Sequence, residues 1–93
     1  MHIDKAKKRI AKLVKAGFKG YPQITIVYFG KNADCATQVA VQFMLDEAAE
    51  VQEQRFTSDT EARDCEVIQT TLVKIIERAN VNSVIEAAGV SAL

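Results

Sequence analysis

The sequence predicts an α+β fold: a two-layer sandwich in the order α-β-β-β-α-α, with an antiparallel three-stranded sheet and both long helices on one of its faces. Three observations lead there. Gln23 to Gly30, Q-I-T-I-V-Y-F-G, is a β-branched and aromatic run with turn signals on both sides, Gly20-Tyr21-Pro22 before it and Gly30-Lys31-Asn32-Ala33-Asp34 after it. An amphipathic stripe of helical period precedes this run, and a longer one follows some thirty residues later. The chain of 93 residues is the size of one domain, spanning 1–93.

The first helix is expected over His2 to Gly17. Ile3, Ala6, Ile10, Leu13, Val14 and Gly17 share one face, and Lys5, Lys8, Lys12, Lys15 and Lys19 form a stripe roughly opposite, at about 100° per residue. Gly17, Gly20 and Pro22 stop it. Both faces of the central strand are largely apolar, Ile24, Ile26 and Tyr28 on one and Thr25, Val27 and Phe29 on the other. Ala36 to Leu45 follows period two better than helical period, so it should form a hairpin with the central strand across the loop Gly30 to Cys35. Asp46 to Phe56 has helix-forming composition but no apolar face. A turn near Asp46–Ala49 and a polar edge strand, Glu50 to Thr57, is the favoured reading, with a helix as its rival.

Ser58 and Glu61 form a capping-box pattern at the start of the last long helix, Thr60 to Ala79, whose stripe is Cys65, Ile68, Leu72, Ile75, Ile76 and Ala79. Asn80 ends it. Asn82-Ser83 would cap a short helix running to Ala88, with Gly89 as its stop, and Val90 to Leu93 would fray.

Apolar content of 48% and charged content of 26% are those of a folded, water-soluble domain. No apolar run is long enough to span a membrane, and M-H-I-D-K-A-K-K lacks a signal core, so a cytoplasmic location is expected. The net charge is zero but unevenly placed. Residues 1–19 carry seven basic residues and one acid, which is +6, so the remainder sums to −6.

Chemistry-bearing motifs are sparse. Cys35 and Cys65 are expected as free thiols, Cys65 packed on its helix stripe. One histidine and two separated cysteines make no spaced metal set, so neither a metal nor another cofactor is expected. The acids Asp46, Glu47, Glu50, Glu53, Asp59, Glu61 and Asp64 read as solvation and capping rather than as a catalytic pair. F-G-K-N after the central strand holds a single glycine and forms no phosphate loop.

The order α-β-β-β-α resembles that of the double-stranded RNA-binding domain in topology and approximate length. That resemblance would imply a basic cluster at the start of the last helix and a Gly-Pro-x-His loop between the first two strands. Here those positions read S-D-T-E-A-R-D and G-K-N-A-D-C, so the family's RNA-reading residues are not carried over. Val84 to Ser91, V-I-E-A-A-G-V-S, is similar to the first helix and turn of a repressor helix-turn-helix. That motif needs a recognition helix after its turn, and a helix closed by Gly89 is the expectation instead.

The resulting expectation is a small interaction module, not an enzyme, that homodimerises through its open sheet face or an edge strand. Val27, Phe29, Ala40 and Met44 would line the interface, because an apolar patch left in water usually marks one. The alternative is a polyanion-binding domain, with nucleic acid as partner, using Lys5, Lys8, Lys12, Lys15 and Lys19. A weaker third reading is an enzyme or small-ligand binder with its site in a dimer cleft near Tyr28, Cys35 and the acids after Leu45.

Overall fold

The computed structural model describes residues 2–92. Helix α1 spans Ile3–Lys15, strand β1 Gln23–Gly30, β2 Gln38–Met44 and β3 Gln52–Thr57. A 3-10 turn, Ala62–Asp64, leads into helix α2, Glu66–Ala79, which is followed by strands β4, Ser83–Glu86, and β5, Ser91–Ala92. The described residues form an α+β fold with two helices and a five-stranded sheet ordered β3-β2-β1-β4, and β5 pairs with β1 beyond the end of β4.

The hairpin forms as its alternation requires. β1 and β2 are antiparallel with Val27 opposite Ala40 and Tyr28 opposite Val39. β2 and β3 are antiparallel with Ala40 opposite Arg55 and Gln42 opposite Glu53. The ambiguous stretch after Leu45 is thus a turn and a polar edge strand, and the rival helix does not form.

The sheet is mixed, which corrects the expected antiparallel three-stranded arrangement. β4 runs parallel to β1 with Ile24 beside Val84 and Thr25 beside Ile85, and β5 runs parallel to it with Phe29 beside Ser91. The short helix expected over Ser83 to Ala88 is therefore absent; Ser91 and Ala92 pair with β1 rather than fray, and Leu93 lies outside the described residues. The physical reason lies in β1. Its second edge carries backbone N–H and C=O groups that need partners if buried, whereas a helix of under two turns is marginal alone. Val84 and Ile85, both β-branched, suit the ladder better. α2 thus becomes a crossover that carries the chain from β3, past β2 and β1, to β4. The same strands end the likeness in topology to the double-stranded RNA-binding domain and to the helix-turn-helix.

α2 also starts later than its capping pattern suggests. Its N-cap is Cys65, in extended conformation and with no side-chain cap. Ser58 Oγ instead accepts from the Thr60 amide, and Glu61 turns to the buried amide of Ala36 at 2.7 Å. A long-range partner for an otherwise orphaned N–H outweighs a local cap. Asn80, in the left-handed region at φ 51°, closes α2 as expected.

The core lies between the helices and one sheet face. Ala6 and Ile10 of α1 meet Ile68, Leu72, Val73 and Ile76 of α2 over Ile24, Ile26, Val39, Val41 and Val84. Ser83, rather than capping a helix, is 2% exposed, and its hydroxyl accepts from Lys19 N and donates to Gly20 O, each at 2.7 Å, pinning the α1–β1 connection to β4.

Candidate functional site

Three surfaces have functional potential: the sheet face away from the helices, the outer face of α1, and a polar cavity on the helix side of the sheet.

Strand alternation sends Ile24, Ile26 and Tyr28 to the helices, which leaves Thr25, Val27 and Phe29 on the far face. Register then places Ala40 beside Val27, Met44 beside Gln23 and Ile85 beside Thr25. The four residues singled out in the sequence, Val27, Phe29, Ala40 and Met44, therefore share one sheet face. Ile85 was missed because its segment read as a helix. The patch is less bare than the sequence implies. Ala40 is 0% exposed. The Arg55 guanidinium sits 4.5 Å from the centroid of the Phe29 ring, a cation–π contact. Glu53 accepts from Arg55 at 2.9 Å and from Gln42 at 3.0 Å, and these hydrogen bonds hold its carboxyl below the usual range. An apolar centre thus carries a hydrogen-bonded acidic and basic rim.

On α1, Lys5, Lys8, Lys12 and Lys15, with Lys19 beyond its end, are all exposed. None makes an ion pair among the described residues. The two basic residues off the stripe do pair, Lys7 with Asp64 at 2.7 Å and Arg9 with Glu77 at 3.0 Å. The helix thus spends its flanking cations on its own fold and leaves the stripe uncompensated.

The cavity, of about 250 Å³, is lined by Lys7 and Ile10 of α1, Tyr28 of β1, Arg63 of the 3-10 turn, Gln69 of α2 and Glu86 of β4. Tyr28 and Gln69 are each 3% exposed. Gln69 Nε2 donates to Ala62 O at 3.1 Å and to the Tyr28 hydroxyl oxygen at 3.0 Å. The tyrosine oxygen therefore accepts, and its own proton has no acceptor among the described residues. Burial raises the Tyr28 pKa above its usual value. Arg63 donates through Nε and Nη2 to Glu61 and through Nη2 to Asp34 O, which leaves Nη1 unused among the described residues. Glu86 points to the helix side because it pairs with Ile26 in register. It makes no hydrogen bond or ion pair among the described residues, and although the residue is exposed overall, desolvation of the carboxyl raises its pKa. A second cavity of about 220 Å³ separates α2 from the outer strands near Phe43, Gln54 and Ile75 and holds no charged group.

The groups of the third reading do not all come together: the Tyr28 ring faces the helices, whereas the acids after Leu45 follow Met44, whose partner is Gln23, at the far end of β1. Cys35 and Cys65 are free and half-buried. Among the described residues no three His, Cys, Asp or Glu side chains gather as a metal site, and no helix is long and apolar enough to cross a membrane.

No family model matches the chain, and no curated protein or solved structure matches it.

Proposed function

We propose that this protein is a non-enzymatic interaction module whose open sheet face receives a second copy of the chain. The observation that carries the reading is the layout of that face. Val27, Phe29, Ala40, Met44 and Ile85 lie on it, while Glu53 and Arg55 put both charge signs on its β3 side. An apolar, aromatic centre inside a polar rim is the usual anatomy of an interface. Opposite charges on one patch can meet their counterparts across a twofold axis. The edge strands fit less well. The edges are β3, which presents exposed polar residues that discourage strand pairing, and β4 and β5, which are only four and two residues long.

The size of the face sets the expected strength. Four strands about 4.8 Å apart and roughly seven residues long at about 3.3 Å each make a face of roughly 450 Å². Stable interfaces cover about 800 Å² per partner, so the dimer should be weak, with a dissociation constant in the micromolar range. Sedimentation equilibrium tests this. A monomer–dimer equilibrium that Val27→Glu shifts to monomer, with unchanged far-UV dichroism, is the expected result. A monomer at every concentration across the micromolar range refutes it.

A second reading, nucleic-acid binding by α1, is favoured by the uncompensated Lys5, Lys8, Lys12, Lys15 and Lys19. If all five contact phosphates, log affinity for duplex RNA or DNA falls against log salt with a slope of about −4.5, and Lys8→Glu/Lys12→Glu reduces that slope by about 2. Fluorescence anisotropy with labelled duplexes at two salt concentrations measures both. No binding at low salt leaves the stripe as a solvated helix face.

A further inference from the structure

The cavity beneath α1 brings charged and polar groups from five separate elements to one place, and neither surface invoked above uses it. Its groups divide by chemistry. Donors line it: the Lys7 ammonium, which also donates to Asp64 at 2.7 Å, the unused Nη1 of Arg63 and the Tyr28 hydroxyl proton. An acceptor lines it as well, the Glu86 carboxylate, which has no protein partner among the described residues. Ile10 adds an apolar wall. Tyr28 lines the space and is 3% exposed; its hydroxyl oxygen accepts from Gln69, and its proton has no acceptor among the described residues. A ligand that was only an anion would meet Glu86 as a like charge, and a ligand that was only a cation would leave the Arg63 Nη1 and Tyr28 hydroxyl donors without an acceptor. The complement to both is a molecule that carries one charge of each sign.

We infer that this cavity binds a small zwitterion of amino-acid size, its carboxylate held by Lys7, Arg63 and the Tyr28 hydroxyl and its ammonium by Glu86. The volume agrees. About 250 Å³ is below the range of drug-sized pockets, and at about 30 Å³ per water it holds the equivalent of roughly eight water molecules. The ligand's apolar side chain lies against Ile10. Charge-assisted hydrogen bonds supply the orientation, and Gln69, fixed by Ala62 O, holds the Tyr28 oxygen in place. This inference is independent of the dimer, because the cavity is on the opposite face of the sheet.

The test is a titration of the full chain followed by amide chemical shifts, with L-valine as the probe and acetate and methylammonium as its two halves. L-valine should shift Lys7, Tyr28, Arg63, Gln69 and Glu86 amides saturably at millimolar concentration and bind at least tenfold more tightly than either half. Tyr28→Phe should weaken L-valine about tenfold while amide dispersion shows an intact fold. Glu86→Gln, at an exposed position whose carboxylate has no described partner, should weaken L-valine and strengthen acetate. That opposite pair of changes is one a structural role would not produce. Acetate binding as tightly as L-valine, or no saturable shift with L-valine through the millimolar range, overturns the inference.

Discussion

Glu61 ties the 3-10 turn to the segment before β2, and its replacement by Gln has a calculable consequence. Its carboxylate accepts from Arg63 Nε and Nη2, from Ala36 N at 2.7 Å and from Arg63 N at 3.2 Å. The Arg63 side chain is the main cause holding the carboxyl far below its ordinary value of 4.5, at about 2, with the Ala36 and Arg63 amides adding to it and partial burial opposing it. A carboxyl that ionises near 2 when folded and near 4.5 when unfolded holds up to about 3 kcal/mol of stability at neutral pH, at about 1.4 kcal/mol per pH unit. The Glu61 side chain is 20% exposed and Arg63 is 37% exposed, so solvent screening reduces this to about 1 to 2 kcal/mol. Because the folded value is depressed, the stabilisation is fully present above about pH 4.5 and is lost as pH falls towards 2. Glu61→Gln should therefore be less stable than the parent by about 1 to 2 kcal/mol at pH 7, a fall in Tm of about 5 to 15 °C for a domain of this size. The gap should close between pH 4.5 and 2. Urea unfolding followed by circular dichroism at a series of pH values, parent beside variant, isolates this carboxylate from the others that titrate in the same window. Equal stability at pH 7, or a gap that stays constant down to pH 2, refutes the reasoning.

Two further substitutions follow from packing. A Cβ on Gly30 would overlap the backbone carbonyl of Cys35, so Gly30→Ala must displace the loop after β1. It should cost about 3 kcal/mol, read as a lower urea midpoint, and an unchanged midpoint would show that the loop yields freely. Ser83→Ala strands the Lys19 amide and the Gly20 carbonyl, both tied to the lost hydroxyl at 2.7 Å. A loss of about 1 to 3 kcal/mol is expected by thermal melting, with the α1–β1 loop amides exchanging faster with deuterium; no change in either measurement counts against the bridge.

Local pattern was enough for the elements whose partners lie next to them in sequence. The α1 stripe at three and four spacing, the two-faced run Ile24 to Phe29 and the alternation of Val39, Val41 and Phe43 each state which side is apolar, and the nearest apolar surface satisfies them. The grouping of Val27, Phe29, Ala40 and Met44 was legible for the same reason, since hairpin register follows from alternation. Ser83 to Glu86 was not legible. Its four residues carry a helix-start pattern, and what makes them a strand is the vacant edge of β1, some sixty residues earlier in the chain. Glu61 likewise reads as a helix cap until the fold presents it with the Ala36 amide. The cavity was invisible because Lys7, Tyr28, Arg63, Gln69 and Glu86 obey no spacing, and five elements must pack before they face one another. Periodicity determined which side of each segment is buried; the long-range demand for hydrogen-bond partners decided what lies beside it.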